Sequence, residues 1–157
     1  MTPPVPAIDD LVRTGLSFHR RGDLKNASIC YEDILRRDPK NFPATYFLGL
    51  IAAQTGQHGR AVELIGRAVA LDPGVPEAHY NQGNALLALG RHGDALASFD
   101  EAVRLKPDHA EAWSNRGTVL LALQRFDSAR DSFDKLLLLK PNDALAHYNR
   151  GVALEAL

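Results

Sequence analysis

AEAWSNRGTVLLALQRFDSARDSFDKLLLLKPND runs from Ala110 to Asp143, and the rest of the chain is variation on it. Moved back in steps of 34 residues, Gly117 falls on Gly83, Gly49 and Gly15; moved forward once, it falls on Gly151. Pro141 falls in the same way on Pro107, Pro73 and Pro39, and Ala129 on Ala95, Ala61 and Ala27. A fixed period of this length marks a stacked repeat architecture, in which each repeat contacts only its neighbours.

Repeats counted from Ile8, Phe42, Pro76 and Ala110 occupy 8–41, 42–75, 76–109 and 110–143. A proline-rich lead, 1–7, expected to be disordered, precedes them, and 144–157 repeats only the first half of the pattern. Each full repeat carries two apolar stripes at helical spacing. In the fourth, Trp113, Gly117, Leu120, Ala122 and Leu123 form one, and Phe126, Ala129, Phe133, Leu136 and Leu137 the other. The link between them is short (Arg21-Gly22-Asp23, Thr55-Gly56-Gln57, Leu89-Gly90-Arg91, Leu123-Gln124-Arg125), which forces the paired helices antiparallel. The second helix should stop at Asp38, Asp72, Lys106 and Lys140, each followed by proline, because a residue before proline avoids helical geometry. Asn41, Asp108 and Asn142 are candidate caps for the next helix, while Pro43 and Pro76 suit a first helical turn.

The recurrent glycine is the most demanding feature. Inside a helix, glycine costs about 1 kcal/mol relative to alanine, so its return at one position implies that a side chain there would obstruct a neighbour. The alanine twelve residues later (Ala95 for Gly83) would let the two backbones approach, with Tyr31, Ile65, Phe99 or Phe133 filling the space alongside. Ile34, Ala68, Ala102 and Leu136 should pack against the following first helix.

These residues resemble the tetratricopeptide repeat, whose pattern is W-x2-L-G-x2-Y, then A-x3-F, then P. Trp113, Gly117, Leu120, Ala129, Phe133 and Pro141 carry it in the fourth repeat, and Leu11, Gly15, Phe18, Ala27, Tyr31 and Pro39 in the first. Thr14, Gln82, Arg116 and Arg150 stand where the family has leucine, and His79 and His147 where it has tryptophan. The resemblance spans Ile8 to Leu157. It implies an all-α fold, a right-handed α-solenoid of antiparallel helix pairs with four repeats plus one extra helix. First helices would line a concave groove.

By the same resemblance, the expected function is a protein–protein interaction scaffold that holds an extended peptide or partner segment in that groove. Asn81, Asn115 and Asn149 share one groove position, similar to the asparagine ladder of the tetratricopeptide region of O-linked N-acetylglucosamine transferase, and Asn84 is a companion. A carboxamide offers both donors and an acceptor, so it can grip a peptide backbone without reading side chains. The plainer alternative is that asparagine is simply common there. Arg13 and Arg20 (with His19) make one groove end basic, against Glu77 and Glu111 elsewhere; Tyr46 and Tyr80 (with Phe47) are candidate aromatic anchors or packing residues. The carboxylate clamp of co-chaperone adaptors is excluded, because its basic slots hold Val12, Leu16, Phe47, Glu77 and Asn81, or Tyr80, Asn84, Asn115, Leu145 and Asn149.

Other chemistries find little support. The 157 residues are 45% hydrophobic and 24% charged with net charge −1, which gives no field to gather nucleic acid or membrane lipid. Equivalent histidines one repeat apart are separated by about a helix diameter, roughly 10 Å, too far to share a metal. Cys30 has no basic neighbour to activate it. No cofactor, metal or catalytic residue is expected, and the chain reads as a cytoplasmic non-enzyme. Two alternatives stand beside the scaffold: the substrate-recruiting N-terminal region of a larger enzyme such as a glycosyltransferase, and a self-assembling module. The pattern stops at Leu157, before a second helix, which suggests a fragment of a longer protein, a terminal helix acting as lid, or end-to-end homo-oligomers through that uncapped helix. Leu138, where other repeats have Arg36, Ala70 and Arg104, is expected to bury itself against the last helix.

Overall fold

The computed structural model describes residues 6–157, so the first five residues of the proline-rich lead fall outside it. Every regular element among the described residues is an α-helix: α1 (Ile8–Arg20), α2 (Leu24–Arg37), α3 (Phe42–Gln54), α4 (His58–Leu71), α5 (Pro76–Ala88), α6 (His92–Leu105), α7 (Ala110–Ala122), α8 (Phe126–Leu139) and α9 (Ala144–Glu155). The all-α class read from the period is what the chain adopts. It forms two compact units, Met1–Pro73 with α1 to α4 and Gly74–Leu157 with α5 to α9. In the first, each helix packs on the next; in the second, the same holds and α7 also touches α9.

Helix boundaries follow local chemistry, with one shift from expectation. The second helices end at Arg37, Leu71, Leu105 and Leu139, with Asp38, Asp72, Lys106 and Lys140 as the C-caps that the following prolines require. Asn41 caps α3 by accepting from the Ala44 N–H at 3.1 Å. The other two expected caps are wrong by one residue. His109, not Asp108, precedes α7 and makes no side-chain cap; Asp143, not Asn142, caps α9 through the Ala146 N–H at 2.9 Å. Proline and the residue after it belong to the turn, so the cap position is the second residue past the proline, the fourth past the preceding helix.

The repeated glycine is a socket for a ring, and the alanine is secondary. A Cβ built on Gly83 would lie 2.6 Å from Phe99 Cε1, and one on Gly117 would lie 2.7 Å from Phe133 Cε1. Gly15 stands in the same relation to Tyr31, and Gly49 to Ile65. Such separations are far inside van der Waals contact, so the notch exists to admit the side chain sixteen residues on. Tyr31, Ile65, Phe99 and Phe133 are fully buried, as are Ala27, Ala61, Ala95 and Ala129 beside them. Ala102 packs with Val103 against Ala112 of α7, the contact with the following first helix that the sequence implied.

Tyr31 is the misfit in this set. Its hydroxyl is buried without a hydrogen-bond partner among the described residues, and burial pushes its pKa up to about 12. Phenylalanine fills the equivalent socket in the second compact unit. Tyr31→Phe should therefore raise the urea midpoint, by about 1 kcal/mol of stability, since an unsatisfied buried hydroxyl carries its full desolvation cost.

A second local strain lies in the links. Gly22, Gly56 and Gly90 adopt φ of 76°, 75° and 71°, whereas the fourth link places Gln124 at φ 56°. A side chain in this left-handed region costs roughly 1–2 kcal/mol. Glycine's extra unfolded-state entropy offsets part of that. Gln124→Gly should thus stabilise by about 0.5–1 kcal/mol, seen as a raised thermal midpoint.

Candidate functional site

The expected site residues divide between the two compact units. In the second, Asn81, Asn84 and Tyr80 come from α5, Asn115 from α7 and Asn149 from α9. The structure joins two of them directly: Asn115 Nδ2 donates to Asn84 Oδ1 at 2.7 Å. Asn81 Nδ2 donates instead to the Glu77 carbonyl one turn earlier, at 2.8 Å. Asn149 is part-buried on α9 and its side chain makes no hydrogen bond among the described residues. Asn84 therefore keeps its two N–H donors, and Asn115 keeps one donor and its carbonyl oxygen. That combination can receive both a C=O and an N–H of an extended backbone.

Tyr80 is a packing residue before it is a binding one. Its ring lies 4.8 Å from His109 and 6.0 Å from Phe99, centroid to centroid, over the patch formed by Ala102, Val103 and Ala112. Next to the asparagines the face is flanked by Ser114 and Thr118, and Thr118 donates back to the Ser114 carbonyl at 3.0 Å.

In the first compact unit, Arg13 and Arg20 line a shallow depression with Leu16 and Ser17 of α1 and with Arg21, its C-cap. Arg13 is ion-paired with Asp10, and Arg21 covers the Phe18 ring at 5.1 Å. Arg20 is exposed and makes no ion pair among the described residues. His19 bonds Gln54 of α3 at 3.1 Å. Tyr46 stacks on Phe42 at 5.6 Å and leans on Phe47 at 5.4 Å, within an aromatic cluster that continues to Tyr31.

The acidic residues of the first-helix face are already neutralised. Glu77 pairs with Lys106 at 3.1 Å and Glu111 with Lys140 at 2.7 Å, each linking the start of a first helix to the end of its partner. Both carboxyls are held below the usual carboxylate value. For Glu77 its own backbone N–H is the larger cause and Lys106 the next; for Glu111, Lys140 leads and its own N–H follows. These charges are structural ties, which removes the acidic half of the polarised face read from sequence.

Two further corrections concern residues taken as core. His147 is exposed, and its Nε2–H donates to the Pro141 carbonyl at 2.8 Å. Trp113 does the same with Pro107 at 2.8 Å. Trp113 and His147 share a ring N–H that ties the loop to the helix, whereas His79 and Thr45 at the same repeat position are buried. Leu138 is 76% exposed, while Leu136, two residues earlier on α8, is buried in its place. Tyr148 and Leu145 of α9 are similarly open.

Sequence reasoning missed a set of ties at a spacing of 16. Arg116 Nε meets Asp100 Oδ1 at 2.6 Å, and Arg150 pairs with Asp134 one repeat later. Arg116 also donates through Nη1 to Ser132 Oγ at 2.6 Å. The signal was present: arginine replaces the family leucine only where an aspartate lies sixteen residues earlier.

Cys30 is buried, and its pKa is raised chiefly by that burial and then by Asp33, so it holds a thiol. No group of three His, Cys, Asp or Glu side chains among the described residues could hold a metal ion. No helix among them is long and apolar enough to cross a membrane.

Comparison with known proteins gives the same pattern a family. A model for the tetratricopeptide repeat matches residues 80–143 and 114–157, and one for anaphase-promoting complex, cyclosome, subunit 3 matches 20–102. No curated protein matches the chain. Among solved structures, MamA is similar at 26% identity and TM-score 0.88, over 95% of this chain and 81% of that one. A mutant of the Thermobaculum terrenum O-GlcNAc transferase is similar at 32% identity and TM-score 0.74, over 83% of this chain and 25% of that one. YrrB, a TPR protein with an unusual peptide-binding site, shares the fold at 23% identity and TM-score 0.87, over 92% of this chain and 75% of that one. With helix pairs in register, a glycine notch in each of the four repeats filled by the side chain sixteen residues on, and family models that together span 20–157, this chain belongs to the tetratricopeptide repeat family.

Proposed function

We propose that the chain is a scaffold that binds an extended peptide segment along the first-helix face of its second compact unit, through the carboxamides of Asn81, Asn84, Asn115 and Asn149. Tetratricopeptide proteins are in general protein-interaction scaffolds. The observation that carries the finer reading is the 2.7 Å bond between Asn115 and Asn84, which holds amides of two successive first helices together and leaves complementary donors and an acceptor free. Each backbone contact contributes only about 1 kcal/mol net, so binding is modest and tolerant of sequence. Tyr80 supports the face through its ring contacts with Phe99 and His109.

The test is a peptide array read with the wild-type chain and with Asn81→Ala, Asn115→Ala and Asn149→Ala. Each substitution should weaken captured peptides about fivefold, equivalent to about 1 kcal/mol, with helicity by circular dichroism unchanged. Unaltered affinity in all three would remove the asparagines from the site.

A second reading draws on the 32% identity with the Thermobaculum enzyme, of which this chain spans 25%. Here the same face would recruit substrate proteins for a larger glycosyltransferase. Transferase sequence in the reading frame that contains this segment would support it. Exposed Leu138, Leu145 and Tyr148 favour a third property, self-association through α9. Light scattering across a concentration series reads that directly. The chain is proposed to work in the cytoplasm.

A further inference from the structure

We propose that a cleft on the other side of α7 is a second recognition site, one that takes an apolar side chain flanked by carboxylates, presented by an acidic peptide segment of a partner protein. α7 turns Asn115 toward α5 but turns Trp113 and Arg116 toward α6 and α8. Between those helices lies a cleft of about 340 Å³. That is the low end of the range for ligand sites, sized for one inserted side chain and not for a length of chain.

Its floor is apolar and rigid. Val103 is buried there, and Trp113 packs against the patch of Ala102, Val103 and Ala112. The indole cannot swing freely: its N–H is bound to the Pro107 carbonyl, and the Arg116 guanidinium lies 5.6 Å from the ring centroid. A fixed, partly exposed tryptophan beside a pocket is the usual form of an interface anchor.

The rim sets the charge of the ligand. Asp100 is already bonded to Arg116 at 2.6 Å, and Asp131 to Arg130 at 2.8 Å. Arg104 donates two bonds to Glu101 Oε2, from Nε at 2.9 Å and Nη2 at 2.7 Å. Lys135 alone on this rim makes no ion pair among the described residues. Arg130 is shared between Asp131 and Asp127, so the excess lies on the lining itself, where Arg104, Arg116 and Lys135 face Asp100 and Asp131, and the complementary ligand carries a carboxylate beside its apolar group. This site shares no residue with the asparagine face and does not rest on it.

Trp113 is the chain's one tryptophan, so its emission reports the cleft directly. The probes are three blocked peptides: Gly-Ser-Glu-Phe-Glu-Gly-Ser, the same with lysine for glutamate, and the same with alanine for phenylalanine. The first should give a saturable change in emission at up to millimolar concentration, and the other two should bind at least about fivefold more weakly. Lys135→Glu, an exposed substitution checked for helicity, should weaken the acidic peptide about tenfold and improve the basic one. The Asn81→Ala/Asn115→Ala/Asn149→Ala variant should keep the response, which separates failure here from failure of the asparagine face. No saturable change, an equal response to all three peptides, or unaltered affinity in Lys135→Glu would each overturn the proposal.

Discussion

Phe99→Ala should destabilise the second compact unit by about 3–5 kcal/mol, the usual cost of removing a buried phenylalanine, and its effect should reverse the sign of a second substitution. In the wild-type background, Gly83→Ala places a methyl 2.6 Å from Phe99 Cε1, with Cζ and Cδ1 at 2.8 and 2.9 Å. The ring is fully buried and wedged between two helices, so it cannot retreat cheaply. Overpacking of this kind costs about 1–3 kcal/mol. Alanine's better helix propensity returns about 1 kcal/mol, which leaves a net loss of about 0–2 kcal/mol. Once Phe99 is alanine the obstruction is gone and a cavity stands in its place. Gly83→Ala should then stabilise by about 1 kcal/mol, a coupling of about 1–3 kcal/mol between the two sites. Gly151 supplies the control, because nothing lies within 4 Å of a Cβ built on it. Gly151→Ala should be stabilising from the start. Urea titrations of the four variants and the control measure all of this; a stabilising Gly83→Ala in the wild-type background would show that the notch is not a socket.

That cycle marks where sequence reasoning stopped. A 34-residue period and a costly glycine demand that something occupy the space over Gly83. They do not tell whether a neighbouring backbone or a ring occupies it. The two candidates, Ala95 and Phe99, lie one helical turn apart on the same stripe of α6, and the choice depends on how that helix is rotated about its axis. Rotation is fixed by packing, which no single stripe encodes. The cap errors at Asp108 and Asn142 have the same origin on a smaller scale, since one residue of turn geometry moves the cap to His109 or Asp143.

The asparagines were legible as a set because their spacing is the repeat itself. What was not legible was their bonding, since Asn115 reaches Asn84 across 31 residues while Asn81 turns back on its own helix. Charges were read least well. Glu77 and Glu111 looked like groove charges, yet each has a lysine 29 residues later that the fold brings alongside. Arg116 and Arg150 looked like departures from a family leucine. They are the visible halves of pairs whose other halves sit in the previous repeat.

Arg116 tests that last point with the second largest effect. Its side chain is only 22% exposed, and it makes charge-assisted bonds to Asp100 and Ser132 while lying over Trp113. Arg116→Ala removes both bonds and the packing of the aliphatic stem, for an expected loss of about 2–3 kcal/mol. Arg116→Leu should behave differently. Leucine refills the space against α6 and α8, and Asp100, whose side chain is 46% exposed, turns to water without being stranded. Ser132 keeps its bond to the Ser128 carbonyl at 2.7 Å. Replacing a partly buried ion pair by apolar packing is often neutral, so Arg116→Leu should fall within about 1 kcal/mol of the wild type. Arg116→Lys should lie between the two, because an ammonium cannot fork to Asp100 and Ser132 in one plane. Urea midpoints of the three variants give the order. If leucine proves as damaging as alanine, the pair contributes stability that packing cannot replace, and arginine here is more than an exchange for the leucine found in other repeats.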